Sequence, residues 1–194
     1  MRLFFAVALT DTIRDKLAAL EESLRGKAPE APVGWVVPQN IHLTLRFLGE
    51  TDERLLPRLK EVAGAVAATV PKFSLQLEKV GTFGGRSSPR TVWVGVRDDA
   101  GKARLRELAE GLERAVQKLG FTPENRPFAA HATLGRVKAK PDKKFVATLE
   151  AAKSFEAGTL EVGRFVLYES HMRGGKPPEY VEVESYELQG MNDR

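Results

Sequence analysis

The stretches IHLTLRFL at 41–48 and AHATLGRV at 130–137 share one tetrapeptide, His-x-Thr-Leu, as HLTL at 42–45 and HATL at 131–134. In a β-strand, residues two apart point to the same side. Ile41, Leu43, Leu45 and Phe47 are therefore predicted to form a core face, with His42, Thr44 and Arg46 on the opposite one. In the second stretch His131 and Thr133 share a face and Leu134 turns inward. Each motif thus presents one imidazole beside one hydroxyl on a rigid element. The chain has only three histidines, His42, His131 and His171, and two of them carry the motif. With about 5% Thr and about 10% Leu as ordinary usage, two matches among three histidines arise by chance roughly once in 10⁴ chains. The duplication therefore signals two similar strands, far apart in sequence, that serve one purpose.

Outward from these strands, the chain alternates between the periods of strand and helix. Leu3–Leu9 reads as a buried first strand, too short and too closely followed by charge to act as a targeting segment. Ile13, Leu17, Leu20 and Leu24 repeat at helical spacing, with Thr10 or Asp11 as the cap and Gly26 as the stop. Strands are predicted at 33–37 and 41–48, joined by the turn Pro38-Gln39-Asn40, and a helix over about 52–70 with Pro57 in its first turn. A strand at 73–80 leads into the Gly/Ser/Pro-rich segment GTFGGRSSPR at 81–90, predicted to be a loop. A strand at 91–96, a helix at 99–119, the HATL strand, a short helix or turn at 145–152 and strands at 163–170 and 180–188 complete the pattern. Strands and helices interleave twice, with one histidine motif in each half. The expectation is an α+β fold, a single bilobal domain over 1–194. Its two pseudo-symmetric lobes are each a small, mainly antiparallel sheet flanked by helices, with the cleft between them.

Composition sets bounds. A chain of 194 residues that is 42% hydrophobic and 29% charged has the composition of an ordinary globular protein, so disorder is not indicated. With no cysteine there is no disulfide framework, thiol nucleophile or Cys-based metal site, which fits a reducing cytoplasm. No apolar run approaches the roughly 20 residues of a membrane-spanning helix. The net charge of +4 suits an anionic ligand without requiring one.

Two imidazoles and two hydroxyls around one cleft suit acid–base chemistry on a phosphodiester. Thr44 and Thr133 can donate to phosphate oxygens while one histidine removes a proton and the other supplies one. Imidazole serves both roles because its reference pKa of about 6.5 leaves both protonation states accessible near neutrality. No metal is needed if the cage itself stabilises the developing charge. A lone His-x-Thr is more often a structural hydrogen-bonded pair; the duplication reverses that. A zinc site built from all three histidines is the other alternative, but this spacing lacks a second ligand next to each histidine. His171 has no Thr partner and reads as a surface loop histidine. Trp35, Phe83, Phe128 and Tyr168 have the rings to stack a base, yet each reads first as core.

At these residues the chain resembles the two-histidine (2H) phosphoesterase superfamily, and within it the RNA 2′,3′-cyclic phosphodiesterases, also called 2′-5′ RNA ligases. The resemblance covers nearly the whole length through RLFFAVAL, WVVPQNIHLTLRFLGE, VGTFGG, TVWVGV, RPFAAHATLGRV and LYESHMRGGKPPEY. It implies hydrolysis of an RNA 2′,3′-cyclic phosphate to a 2′-phosphomonoester, with 2′-5′ ligation as a low-yield reverse reaction. By the same resemblance His42 is the proton donor, His131 the proton acceptor, Thr44 and Thr133 bind phosphate, and Arg136 holds the nucleotide end. Strict alternation would turn Arg136 away from His131 unless Gly135 permits a bulge. The same alternation puts Arg46 on the His42 face and makes it a second substrate-binding candidate. Two positions depart from relatives: Ala130 stands where Pro is frequent, and no Pro follows Phe83. No cofactor and no metal are implied. The expected partners are RNA ends or nucleotide cyclic phosphates, bound by a monomer. The alternatives are an enzyme for 2′-5′ linked oligonucleotides or small cyclic nucleotides, and a non-catalytic RNA-end binder.

Overall fold

The first helix starts where Thr10 caps it, its hydroxyl accepting from the Ile13 N–H, and runs from Asp11 to Lys27 (α1), one residue past Gly26. Its buried stripe is Ile13, Leu17, Leu20 and Leu24, as the period predicts. Pro57 sits at the start of the second helix, Leu56–Ala67 (α2), where its missing N–H costs nothing. Asp99 caps the third, Ala100–Gln117 (α3), by accepting from Gly101 and Lys102, and Asp142 caps the fourth, Lys143–Ala151 (α4). A single capping side chain of this kind contributes about 1 kcal/mol. The computed structural model describes residues 1–190, so the last four residues of the expected 1–194 domain lie outside the described ones.

Nine strands among the described residues form one curled sheet: β1 (Arg2–Ala8), β2 (Val33–Trp35), β3 (His42–Glu50), β4 (Phe73–Gly85), β5 (Ser88–Val96), β6 (His131–Val137), β7 (Glu156–Val162), β8 (Arg164–Arg173) and β9 (Lys176–Glu187). The order is β7-β4-β5-β6-β3-β1-β8-β9, with β2 also on β6, and every named pairing is antiparallel. The two lobes are the two ends of this sheet. One, β3-β1-β8-β9, carries His42; the other, β7-β4-β5-β6 with β2, carries His131. They meet where β3 pairs β6 through Leu43 and Ala132 alone, one residue after each histidine. The α+β bilobal architecture is as expected, but each lobe draws strands from distant parts of the chain, because β8 and β9 return to the first strand.

Helices α1 and α4 pack on the His131 lobe, while α3 lies across β3 and β4 beside α2, which also touches β9. Between sheet and helices lies the core, including Leu3, Phe5, Val7, Leu43, Leu45, Leu105, Leu112, Leu134 and Phe165, all buried. Fully burying a side chain of this size stabilises by about 1.5–3 kcal/mol. No helix among the described residues is long and apolar enough to cross a membrane.

Several local expectations are corrected. Residues 81–90 are not a loop: β4 and β5 continue through them as a hairpin, with Gly84 opposite Pro89 and Gly85 opposite Ser88. The glycines mark close approach rather than a loop. A Cβ on Gly81 would stand 2.2 Å from the Trp93 ring, which lies across it. Strand β7 escaped prediction because EAGTLEV opens with poor strand formers, and its Gly158 has φ +109° at an irregular pairing. Strand β9 begins at Lys176 and includes Pro177 and Pro178, which is tolerable because β9 is an edge strand. Strand β8 runs on to Arg173, so His171 lies on a strand, not in a loop; its side chain is exposed, 3.0 Å from the Glu169 carboxylate.

Candidate active site

Both histidines are held by the same device. His42 Nδ1 lies 2.7 Å from the Asn40 carbonyl, and His131 Nδ1 lies 2.6 Å from the Ala129 carbonyl, in each case two residues upstream. A carbonyl only accepts, so Nδ1 carries the proton and the lone pair of each neutral ring falls on Nε2. The Asn40 carbonyl is itself positioned, since the Asn40 side-chain amide donates from Nδ2 to the Pro178 carbonyl on β9 at 2.8 Å. His42 Nε2 lies 2.8 Å from Thr44 Oγ1. Among the described residues no such bond joins His131 to Thr133. The two motifs therefore share a ring orientation and differ in the load on Nε2.

His42, Thr44, His131 and Thr133 all line one cleft of about 1090 Å³, with Arg136 on its wall. Behind His42, packed against its ring, lies an aromatic cluster. The Phe4 ring lies 5.0 Å from His42 and 5.0 Å from Tyr180, with Tyr168 stacked on it at 5.4 Å and Phe47 at 5.6 Å. In the other lobe Phe83 stands edge-on to His131 at 4.9 Å, with Trp93 behind it. Burial in these surroundings pushes the His42 imidazole below the ordinary histidine range. Its bond to the Asn40 carbonyl works against that, and the nearby His131 adds a smaller lowering. Burial likewise lowers His131, against the pull of the Ala129 carbonyl, and the positive Arg136 lowers it further. Both rings thus hold a proton less readily than an ordinary histidine.

Bulges decide the fate of the two arginines. Along β6, Thr133 pairs Trp93 and Gly135 pairs Val92, so Leu134 is the extra residue. This bulge turns Arg136 to the face of His131 and Thr133, as the glycine suggested. Along β3, Thr44 pairs Ala6 while Arg46 pairs Phe5, making Leu45 extra and reversing alternation beyond it. Phe47, expected in the core, consequently comes out into the cleft and is 57% exposed. Arg46 turns instead toward α3. Though it borders the cleft, its guanidinium is engaged by the Glu113 carboxylate, the Phe47 carbonyl and, at 2.5 Å, the Thr122 carbonyl. Burial would raise the Glu113 carboxyl, but bonds from the Gln117 side chain, the Glu124 N–H and Arg46 hold it below the usual carboxylate range. Arg46 is thereby a clamp between β3, α3 and the segment leading to Ala129. Arg46→Ala should cost about 1.5–3 kcal/mol of stability, because it removes the charged partner of a partly buried carboxylate and the ties to two backbone carbonyls. A urea midpoint unchanged from wild type would overturn the clamp.

Among the aromatics weighed from sequence, Trp35, Phe83 and Phe128 line the cleft and Tyr168 does not. Phe47 and Tyr180, which also line it, were missed, as were Phe4 packed behind His42 and the role of the carbonyls that orient the rings. The sequence carries no signal for the latter, since the residues two before the histidines, Asn40 and Ala129, differ and contribute only backbone carbonyls. His171 does not line the cleft, so three histidines do not converge, and the described residues hold no group of three His, Cys, Asp or Glu side chains able to bind a metal.

Fold and site together are those of a two-histidine phosphoesterase. The family model for LigT like phosphoesterases matches residues 7–93 and again 94–177, one match per histidine motif. The chain belongs to this family. It is 37% identical over 188 residues to the RNA 2′,3′-cyclic phosphodiesterase of Archaeoglobus fulgidus, covering 96% of this chain and 100% of that protein. The crystal structure of TT0787 of Thermus thermophilus superposes with a TM-score of 0.81 at 30% identity, covering 98% of this chain and 100% of that one. E. coli LigT complexed with 3′-AMP matches with a TM-score of 0.76 at 30% identity, covering 96% of this chain and 97% of that one.

Proposed function

We infer that this chain hydrolyses RNA 2′,3′-cyclic phosphate termini to 2′-phosphomonoesters by two-histidine acid–base catalysis, without a metal or other cofactor. The observation that carries the reading is the pair of imidazoles, each with Nδ1 tied to a carbonyl and Nε2 left for chemistry, set on the two strands that meet at the lobe seam and lining one cleft. The relatives named as RNA 2′,3′-cyclic phosphodiesterases support the substrate class.

His131 is the base. Its Nε2 lone pair is unengaged among the described residues, and it takes a proton from the attacking water as the water oxygen bonds to phosphorus. The P–O3′ bond breaks, and O3′ takes the proton from Nε2 of His42, which starts the step as the imidazolium. Thr44 and Thr133 donate to the phosphate oxygens where charge develops. Protonation of His42 also frees Thr44: against the neutral ring its hydroxyl must donate to Nε2, whereas against the cation its proton is available to phosphate. Arg136, on the same face, holds the nucleotide end. If the 5′-hydroxyl of a second RNA replaces water, the same steps yield a 2′-5′ linkage. One chain supplies every group named, which supports a monomeric enzyme, and the lack of cysteine supports the cytoplasm as its compartment.

The test is incubation of the protein, with EDTA present, with an oligoribonucleotide ending in a 2′,3′-cyclic phosphate, followed by phosphorus NMR of the product. A 2′-phosphate is expected. Exclusive formation of the 3′-phosphate would reverse the leaving group. No turnover of several cyclic-ended RNAs would favour an RNA-end binder, and activity lost on chelation and restored by zinc would favour metal chemistry.

A further inference from the structure

Strand β6 leads out of the cleft. Beyond the bulge its cleft face continues from His131 and Thr133 to Arg136, which lies directly opposite Gly34 of β2 on one side and Thr91 of β5 on the other. The ladder extends one residue past β6, since the Lys138 N–H donates to the Pro32 carbonyl at 2.7 Å, so the alternation carries Lys138 to the same face as Arg136. The lysine side chain folds back over Gly34. A Cβ placed on Gly34 would lie 2.8 Å from Lys138 Cε and 3.4 Å from its Nζ. Because Gly34 is the direct partner of Arg136, that Cβ would point to the cleft face, and the ammonium is held there.

Backbone conformation does not require this glycine: Gly34 is not among the positive-φ residues. Glycine in a strand interior weakens it and marks a close approach. Here the approaching group is Lys138, and the glycine makes the room. Among the described residues neither Arg136 nor Lys138 has a carboxylate within salt-bridge distance. Two neighbouring cations without a counter-charge, one on the cleft wall and one beyond it, are an arrangement that an anion relieves. Because the lysine folds back over Gly34, the direct partner of Arg136, its ammonium adjoins the Arg136 position on the face that leads out of the cleft.

We propose that Lys138, laid across Gly34 beside Arg136, forms a second phosphate subsite that takes the phosphodiester on the 5′ side of the terminal nucleotide. This makes the chain discriminate between the cyclic phosphate end of an RNA strand and a free cyclic mononucleotide. The proposal rests on the cyclic-phosphate reading above and adds the polymer to it. A 2′,3′-cyclic mononucleotide fills the histidine–threonine cage and leaves Lys138 unoccupied. A strand end fills both, and the strand leaves the cleft along β6.

The test compares kcat/KM for 2′,3′-cyclic AMP with that for a trinucleotide ending in the same cyclic nucleotide. Wild type, Lys138→Gln, Lys138→Arg and Gly34→Ala are used, with melting temperatures to verify folding. Lys138→Gln should lower the trinucleotide value about tenfold and flatten its log–log salt dependence by about 0.7, one single-strand phosphate contact, while the cyclic mononucleotide is unaffected. Lys138→Arg should keep most of the preference. Gly34→Ala should reproduce the selective loss by displacing the lysine. Equal changes on both substrates, or none on either, would overturn the subsite. Equilibrium binding of a trinucleotide ending in a 2′-phosphate reads the same contact without turnover. If wild type hydrolysed neither substrate yet lost affinity about tenfold on Lys138→Gln, the subsite would stand and the hydrolase reading would fall.

Discussion

His42→Ala and His131→Ala are each expected to lower the rate of cyclic phosphate hydrolysis by about 10²–10⁴, the range for removing a general acid or base. The double variant should be little worse than the more damaged single one, because a proton given on one side is useful only when one is taken on the other. Each substitution should erase one limb of a bell-shaped pH profile. The base must be neutral, so His131 governs the rise from low pH; the acid must be protonated, so His42 governs the fall at high pH. Burial lowers both imidazoles in the free protein, and kcat/KM reports the free protein. Its optimum should therefore lie on the acid side of about 6.5, the reference value of an unperturbed histidine. An anionic phosphate in the cleft favours the protonated rings, so the optimum of kcat should lie at higher pH than that of kcat/KM. His171→Ala should leave most of the activity, since its side chain lies outside the cleft. A flat profile, or a His171 variant as inactive as the other two, would sink the two-histidine mechanism.

The duplicated motif made the fold class and the four cage residues legible because strand alternation is a local rule. His42, Thr44, His131 and Thr133 follow it without interruption. The rule fails one residue beyond each pair, at Leu45 and Leu134, where a bulge inserts a residue. Gly135 announced the second bulge. Nothing in LTLRF announced the first, so Arg46 and Phe47 were placed on each other's faces. Bulges answer to partner strands, and the partner of this segment, β1, is fixed in turn by β8 more than a hundred residues away. The same remoteness hid the aromatic cluster behind His42: Phe4, Tyr168 and Tyr180 belong to three strands that only the finished sheet brings together. Glycines misled in one direction. Those in GTFGG read as a loop, whereas Gly81 makes room for Trp93.

The threonines supply the second large effect, and the structure makes it unequal. Thr44→Ala or Thr133→Ala removes a donor aimed at the developing phosphate charge, at a cost on the order of 10–10³-fold in rate. Thr→Ser keeps the hydroxyl and should be milder at both positions. The pH profiles should separate the two sites. Thr44 Oγ1 is 2.8 Å from His42 Nε2, so it faces both protonation states of the acid, donating to the neutral ring and accepting from the cation. The charge-assisted bond is the stronger of the two. Its loss in Thr44→Ala should therefore destabilise the imidazolium more than the neutral ring, lower the His42 pKa and draw the high-pH limb to lower pH. Thr133 makes no such bond to His131 among the described residues, so Thr133→Ala should depress the plateau and leave both limbs in place. Ser and Ala variants equally damaged, with both folded, would mean that the hydroxyl is not the working group. Limbs that shift alike in both alanine variants would mean that the coupling of Thr44 to His42 does not set the acid.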